Sequence, residues 1–132
     1  MGLIRRILGI CDTKPPADGG CFEVKGRRVE IDLARAPELA GRGGAIRLEG
    51  RGLADRILVV HGLDDEYRAF VNRCTHMGRR LDPQPGKPGV RCCSIGHSTF
   101  DDSGKPLSGM GRRDLRTLAV EPGDGRLAIR LD

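Results

Sequence analysis

A chain of 132 residues has room for one domain with its own buried core. Three Phe, one Tyr and no Trp leave Val, Leu, Ile and Ala to build that core, while 20 Gly and 8 Pro favour turns and short strands over long helices. The net charge of +5 comes from 23 basic and 18 acidic residues in alternation, with no basic run interleaved with aromatics. That pattern argues against a nucleic-acid partner and fits a solvated mixed surface, with docking to an acidic partner as the functional alternative.

The opening MGLIRRILGIC sets an Arg pair before an apolar run, Ile7 to Cys11. This run is shorter than a secretory signal core of about 7–15 residues or a membrane span of about 20. Lipoprotein-type cleavage before Cys11 wants a small residue where Ile10 stands. Leu3, Ile4, Ile7 and Leu8 share one side of a short helix, which predicts a docking or packing helix, with membrane-surface contact as the alternative. DTKPPADGG, Asp12 to Gly20, is a loop bracketed by Cys11 and Cys21, for which a local staple and simple burial both stand. Residues 1–21 are set apart as a docking helix and loop, and 22–132 as the single domain.

From Cys21 onward the pattern is β. FEVKGRRVEIDL alternates around Gly26 as a hairpin, and APELAGRGG is a short helical turn ending in glycines. GAIRLEG and RILVVHG are strands, the second apolar enough to be central. His61 at its end is a turn histidine. DDEYRAFVN places Tyr67, Ala69 and Val71 on one face. After a Pro/Gly linker, DPQPGKPG, VRCC is a brief strand and HSTFDDSGKPLSG reads as strand, turn, strand. LRTLAVEPGDGRLAIRL closes the chain as a hairpin turning at Asp124-Gly125.

Cysteine and histidine are scarce here, yet three of the five Cys and two of the three His fall into two short clusters, Cys74-Thr75-His76 and Cys92-Cys93-Ser94-Ile95-Gly96-His97. Soft thiolate and imidazole ligands in paired loops point to a transition metal. The odd number of cysteines prevents a closed set of intramolecular disulfides, and their neighbours suit metal ligation in a reducing compartment. Zinc accepts such a set of two Cys and two His in a tetrahedron. Adjacent cysteines on a strand point to opposite faces, so at most one of Cys92 and Cys93 faces such a centre.

These clusters resemble the Rieske iron–sulfur family, whose motif is Cys-x-His, about sixteen residues, then Cys-x-x-His. Cys74-Thr75-His76 and Gly78 match the first loop, sixteen residues (77–92) separate His76 from Cys93, and STFDDSGKPLSG is similar to the sequence after the second loop. The resemblance covers most of residues 22–132. It implies an all-β fold, a Rieske-like antiparallel β-sandwich or barrel, with a small cluster-binding subdomain made of loops 72–82 and 90–101. It also implies a [2Fe–2S] cluster held by Cys74, His76, Cys93 and His97, two thiolates on one iron and two imidazoles on the other. The second loop departs from the family: Cys93-Ser94-Ile95-Gly96-His97 is one residue wider, as though His and Gly were transposed. Gly96 gives His97 freedom to reach the iron, while Cys92 is the substitute if it does not.

Respiratory-type members of the family carry an extra Cys in each loop and a disulfide over the cluster. Arg79 stands after Gly78 here, so that bridge is not expected. Ser98 matches the family's hydroxyl near the cluster, and Phe100 stands where the family has Tyr. Fewer donors imply a low-to-middle potential. Arg79 and Arg80 are surface residues that also suit steering of an acidic partner.

The implied function is one-electron transfer by a small cytoplasmic ferredoxin or redox subunit, with a reductase or oxidoreductase subunit as partner. Such a protein is a carrier more than a stand-alone enzyme. The alternative is a cluster-free or zinc-binding Rieske-like fold acting as a structural subunit.

Overall fold

The computed structural model describes residues 11–75, 78–93, 98–108 and 113–132. In chain order the strands are β1 (Phe22–Lys25), β2 (Arg28–Asp32), β3 (Ala45–Leu48), β4 (Ile57–His61), β5 (Tyr67–Val71), β6 (Leu81–Pro83), β7 (Val90–Cys92), β8 (Thr99–Phe100), β9 (Pro106–Ser108), β10 (Thr117–Leu118), β11 (Val120–Gly123) and β12 (Arg126–Arg130). The helical pieces among the described residues are single 3-10 turns, Gly19–Cys21, Leu33–Arg35 and Pro37–Leu39. The expected docking helix falls on residues 1–10, outside the described residues. No helix among the described residues is long and apolar enough to cross a membrane.

Three antiparallel sheets result, in the orders β1-β2-β12-β11, β10-β5-β4-β3 and β6-β7-β8-β9. The all-β expectation holds, and the apolar run RILVVHG is central. All five residues of β4 are buried, with β3 and β5 as neighbours. Its alternate side chains serve two cores. Ile57 and Val59 join Val29, Ile31, Leu127 and Ile129 of the first sheet, while Leu58 and Val60 join Leu81, Val90, Cys92 and Phe100 of the third. A strand covered on both faces is apolar on both, here from Ile57 to Val60, and each fully buried aliphatic side chain contributes about 1.5–3 kcal/mol. The middle sheet thus glues a structural sandwich on one side to the sheet that carries the loops on the other.

The closing hairpin turns where its sequence says. Gly123 pairs with Arg126, leaving the two-residue turn Asp124-Gly125, whose φ values of 50° and 73° suit the twist of the flanking strands. One strand has no counterpart in the pattern. Leu81 and the first two linker residues, Asp82 and Pro83, pair with Val90–Cys92 as β6, because Asp82 and Pro83 need only the edge of a sheet.

Candidate metal centre

The first ligand loop leaves β5 at Val71 and returns at β6, and its backbone is closed by polar contacts. Gly78 N–H donates to Cys74 O (2.8 Å) and Cys74 N–H to Arg79 O (2.7 Å). Gly78 has a φ of 68°, a left-handed conformation that a side chain would strain. Fully buried Asn72 accepts the Leu81 N–H at Oδ1 (2.7 Å), tying the two ends of the loop together. Arg56, preceding β4, donates from Nε to Asn72 O (3.1 Å) and from Nη2 to Gly78 O (2.8 Å), so one guanidinium spans the loop. Burial, reinforced by the charges of nearby arginines, lowers the Arg56 pKa from its ordinary value. It remains a cation, since an arginine pKa starts far above neutrality. Thr75 Oγ1 adds a hydrogen bond to Arg113 O (3.0 Å).

The second loop is fastened differently. Cys92 pairs with Leu81 across β6–β7, Cys92 N–H donates to Ser98 O (2.8 Å), and Cys93 N–H donates to Arg80 O (2.9 Å). The stretch Arg79–Leu81 therefore bonds both loops. Arg80, expected at the surface, is half-buried and gripped in a fork by Glu49 at 2.7 and 2.8 Å, which leaves it little freedom to steer a partner. That hydrogen bond holds the Glu49 carboxyl below the ordinary glutamate range against the opposing effect of burial.

The cysteines separate into two environments. Cys74 and Cys92 are buried in one apolar cluster with Leu58, Phe70, Leu81 and Phe100, and neither is in a disulfide. Cys93 is joined to Cys11 by a disulfide across 82 positions of sequence. A disulfide sulfur offers no thiolate, so in this covalent form Cys93, expected as an iron ligand, presents none. Cys11 and Cys21 are both buried, as simple burial expected, but the local staple between them is replaced by the bond from Cys11 to Cys93. Cys21 keeps its thiol intact, with its pKa raised by desolvation. His76 and His97 lie outside the described residues. Ser98 is buried, and Phe100, fully buried, brings no hydroxyl to the site.

Residues 11–14 are bound in as well. Asp82, a buried carboxylate, accepts the N–H groups of Asp12 and Thr13 at 2.8 Å each, and Arg47 N–H donates to Lys14 O at 3.1 Å. Sequence reasoning missed Arg56, Asn72, Glu49 and Asp82. The clue for Asn72 was a polar residue ending an alternating strand beside a cysteine loop. The others act on residues 16 to 70 positions away, which no local pattern reveals. His61 is more than a turn residue: its Nδ1 meets Leu39 O at 2.8 Å, its Nε2 meets Asp65 at 2.5 Å, and its ring stacks on Tyr67.

Two buried thiols in an apolar cluster suit a soft metal. Asn72 Nδ2 is buried without an acceptor among the described residues, a donor of the type that sulfur ligands accept. The donor chemistry present fits an iron–sulfur cluster.

Comparison with known proteins agrees. The family model for the Rieske [2Fe-2S] domain matches residues 29–119, which include both loops. No curated protein matches the chain. Among solved structures, the ferredoxin of carbazole 1,9a-dioxygenase from Nocardioides aromaticivorans IC177 is 18% identical, with a TM-score of 0.61 over 73% of this chain and 91% of that one. A chain from the complex of reduced oxygenase and oxidised ferredoxin in carbazole 1,9a-dioxygenase is 19% identical, with a TM-score of 0.64 over 82% and 96%. The quaternary ammonium Rieske monooxygenase CntA is 24% identical with a TM-score of 0.58, and this chain spans 30% of its length.

Proposed function

Because the chain belongs to the Rieske [2Fe-2S] domain family, whose cofactor is a [2Fe–2S] cluster, we propose that it is a small electron carrier passing one electron at a time to a partner oxidoreductase. The observation that carries this reading is the family match across both ligand loops, joined to the burial of Cys74 and Cys92 in one apolar cluster. When bound, the cluster supplies the redox couple. The chain's own residues hold it, shield it and set its potential. His76 and Cys74 serve from the first loop, His97 and a cysteine of the Cys92-Cys93 step from the second.

The partner is an oxygenase-type or other oxidoreductase subunit, with a reductase upstream. The solved complex of oxygenase with ferredoxin supports this pairing by its fold. Exposed Arg73 and Arg113 beside the first loop suit an acidic docking face. The residue 1–10 segment is a second docking element in this reading. The location is cytoplasmic, where the thiols of Cys21, Cys74 and Cys92 persist and where burial of Cys11 and Cys93 shields their bridge from reductants.

Anaerobic reconstitution with iron and sulfide, followed by iron and sulfide assay and EPR of the reduced protein, tests the proposal. Two irons and two sulfides per chain with a reduced-state [2Fe–2S] signal are expected. A colourless protein holding one zinc would sink it and favour a structural subunit.

A further inference from the structure

We infer that Cys92, buried in the same apolar cluster as Cys74, supplies the second-loop thiolate to the cluster, while Cys93 stands outside the ligand set and straps residues 11–13 to the base of the second loop. This rests on the reading of a [2Fe–2S] centre above.

Successive side chains of a strand point to opposite faces, so a Cys-Cys pair at the end of β7 must divide. The division is fixed by register. Cys92 lies opposite Leu81, and Val90 lies opposite both Pro83 and Phe100. Leu81, Val90, Cys92 and Phe100 all turn into the apolar cluster that also holds Cys74. The first-loop thiol and the Cys92 thiol therefore share one buried environment. Cys93 belongs to neither core cluster and is bonded to Cys11.

The surroundings of that bridge point to a strap and not to a second metal site. The two sulfurs and a carboxylate oxygen of Asp82 lie within 4.8 Å of one another. Both sulfurs, however, are consumed by their mutual bond, and Asp82 is occupied by the N–H groups of Asp12 and Thr13. One covalent bond and two charge-assisted hydrogen bonds thus fix the same three residues to β6 and to the base of the second loop. The ligand loop then reads Cys92, four intervening residues, His97.

The test uses the full chain. Wild-type protein is reconstituted anaerobically, alkylated without reduction, digested, and the bridged cysteines are assigned by fragment mass spectra. A Cys11–Cys93 linkage with Cys92 outside it is expected, and a bridge through Cys92 overturns the inference. In parallel, the Cys11→Ser/Cys93→Ser double variant should keep the wild-type complement of iron and sulfide and its EPR signal. Cys92→Ser should lose most of both while its apo form melts cooperatively. Cluster loss in the double variant, or full retention in Cys92→Ser, assigns the thiolate to Cys93 instead. Should Cys92→Ser not fold, the double variant decides alone. A wild-type chain that takes up no iron overturns the cluster reading itself, and this inference with it. Iron in the wild type with none in the double variant overturns only the choice of Cys92.

Discussion

The two ligand loops are held by different physics. Loop 72–82 is closed by charged and polar side chains: Arg56 reaches two of its carbonyls from outside, its own Asn72 holds Leu81, and its own Arg80 is gripped by Glu49. Loop 90–101 has backbone pairing to β6, and its base is tied covalently to a residue far away in sequence. The first loop follows the family spacing and the second departs from it. A loop whose shape is set by many small contacts keeps its sequence pattern, because each contact constrains it. A loop anchored by one strong bond tolerates an extra residue, because the anchor and not the spacing fixes its position.

The largest effect should come from cutting the covalent anchor. A bridge across 82 positions constrains the unfolded chain strongly, so Cys11→Ser should lower the unfolding free energy by about 2–4 kcal/mol. Denaturant titration measures it. Hydrogen exchange should show faster opening at Cys92 and Cys93, with Cys74, Gly78 and Arg79 unchanged. Equal acceleration in both loops would erase the contrast between them.

Arg56→Met attacks the other loop. It removes two donors to partly buried carbonyls, and a typical hydrogen bond contributes about 0.5–1.5 kcal/mol net, so a loss of about 1–3 kcal/mol is expected. The cation also favours the extra electron on a nearby cluster. The reduction potential of the variant should therefore fall below that of the wild type, which itself is expected between roughly −400 and +300 mV. Protein-film voltammetry reads the shift. An unchanged potential would confine Arg56 to holding the loop.

The smallest effect belongs to Glu49–Arg80. The Glu49 carboxyl is held below its ordinary range by the Arg80 hydrogen bond. A carboxyl whose folded pKa is depressed stabilises the fold at pH values above its unfolded pKa. That stability is lost as pH falls through the folded value. Wild type should exceed Glu49→Gln by about 1 kcal/mol or less near pH 7, and the gap should close at pH values below the ordinary glutamate range. A gap that persists in strong acid would mean that Glu49 acts through packing and not through its charge.

Much of this was legible in the sequence, for reasons local to each segment. Alternation wrote β1, β2 and β12, the uninterrupted apolar run wrote the doubly covered β4, and Asp124-Gly125 wrote its own turn. Cys74 and Gly78 were readable because a tight ligand loop needs its thiol and its left-handed glycine a fixed few residues apart. Strand alternation also declared that Cys92 and Cys93 face opposite ways. Which of them joins the apolar cluster that holds Cys74 was decided only by the pairing of β7 with β6, since a slip of one residue in register exchanges the two faces. The partner of Cys93 was likewise beyond any sequence pattern. Eighty-two positions separate it from Cys11, and closeness across such a span is created by the packing of three sheets, not by spacing along the chain.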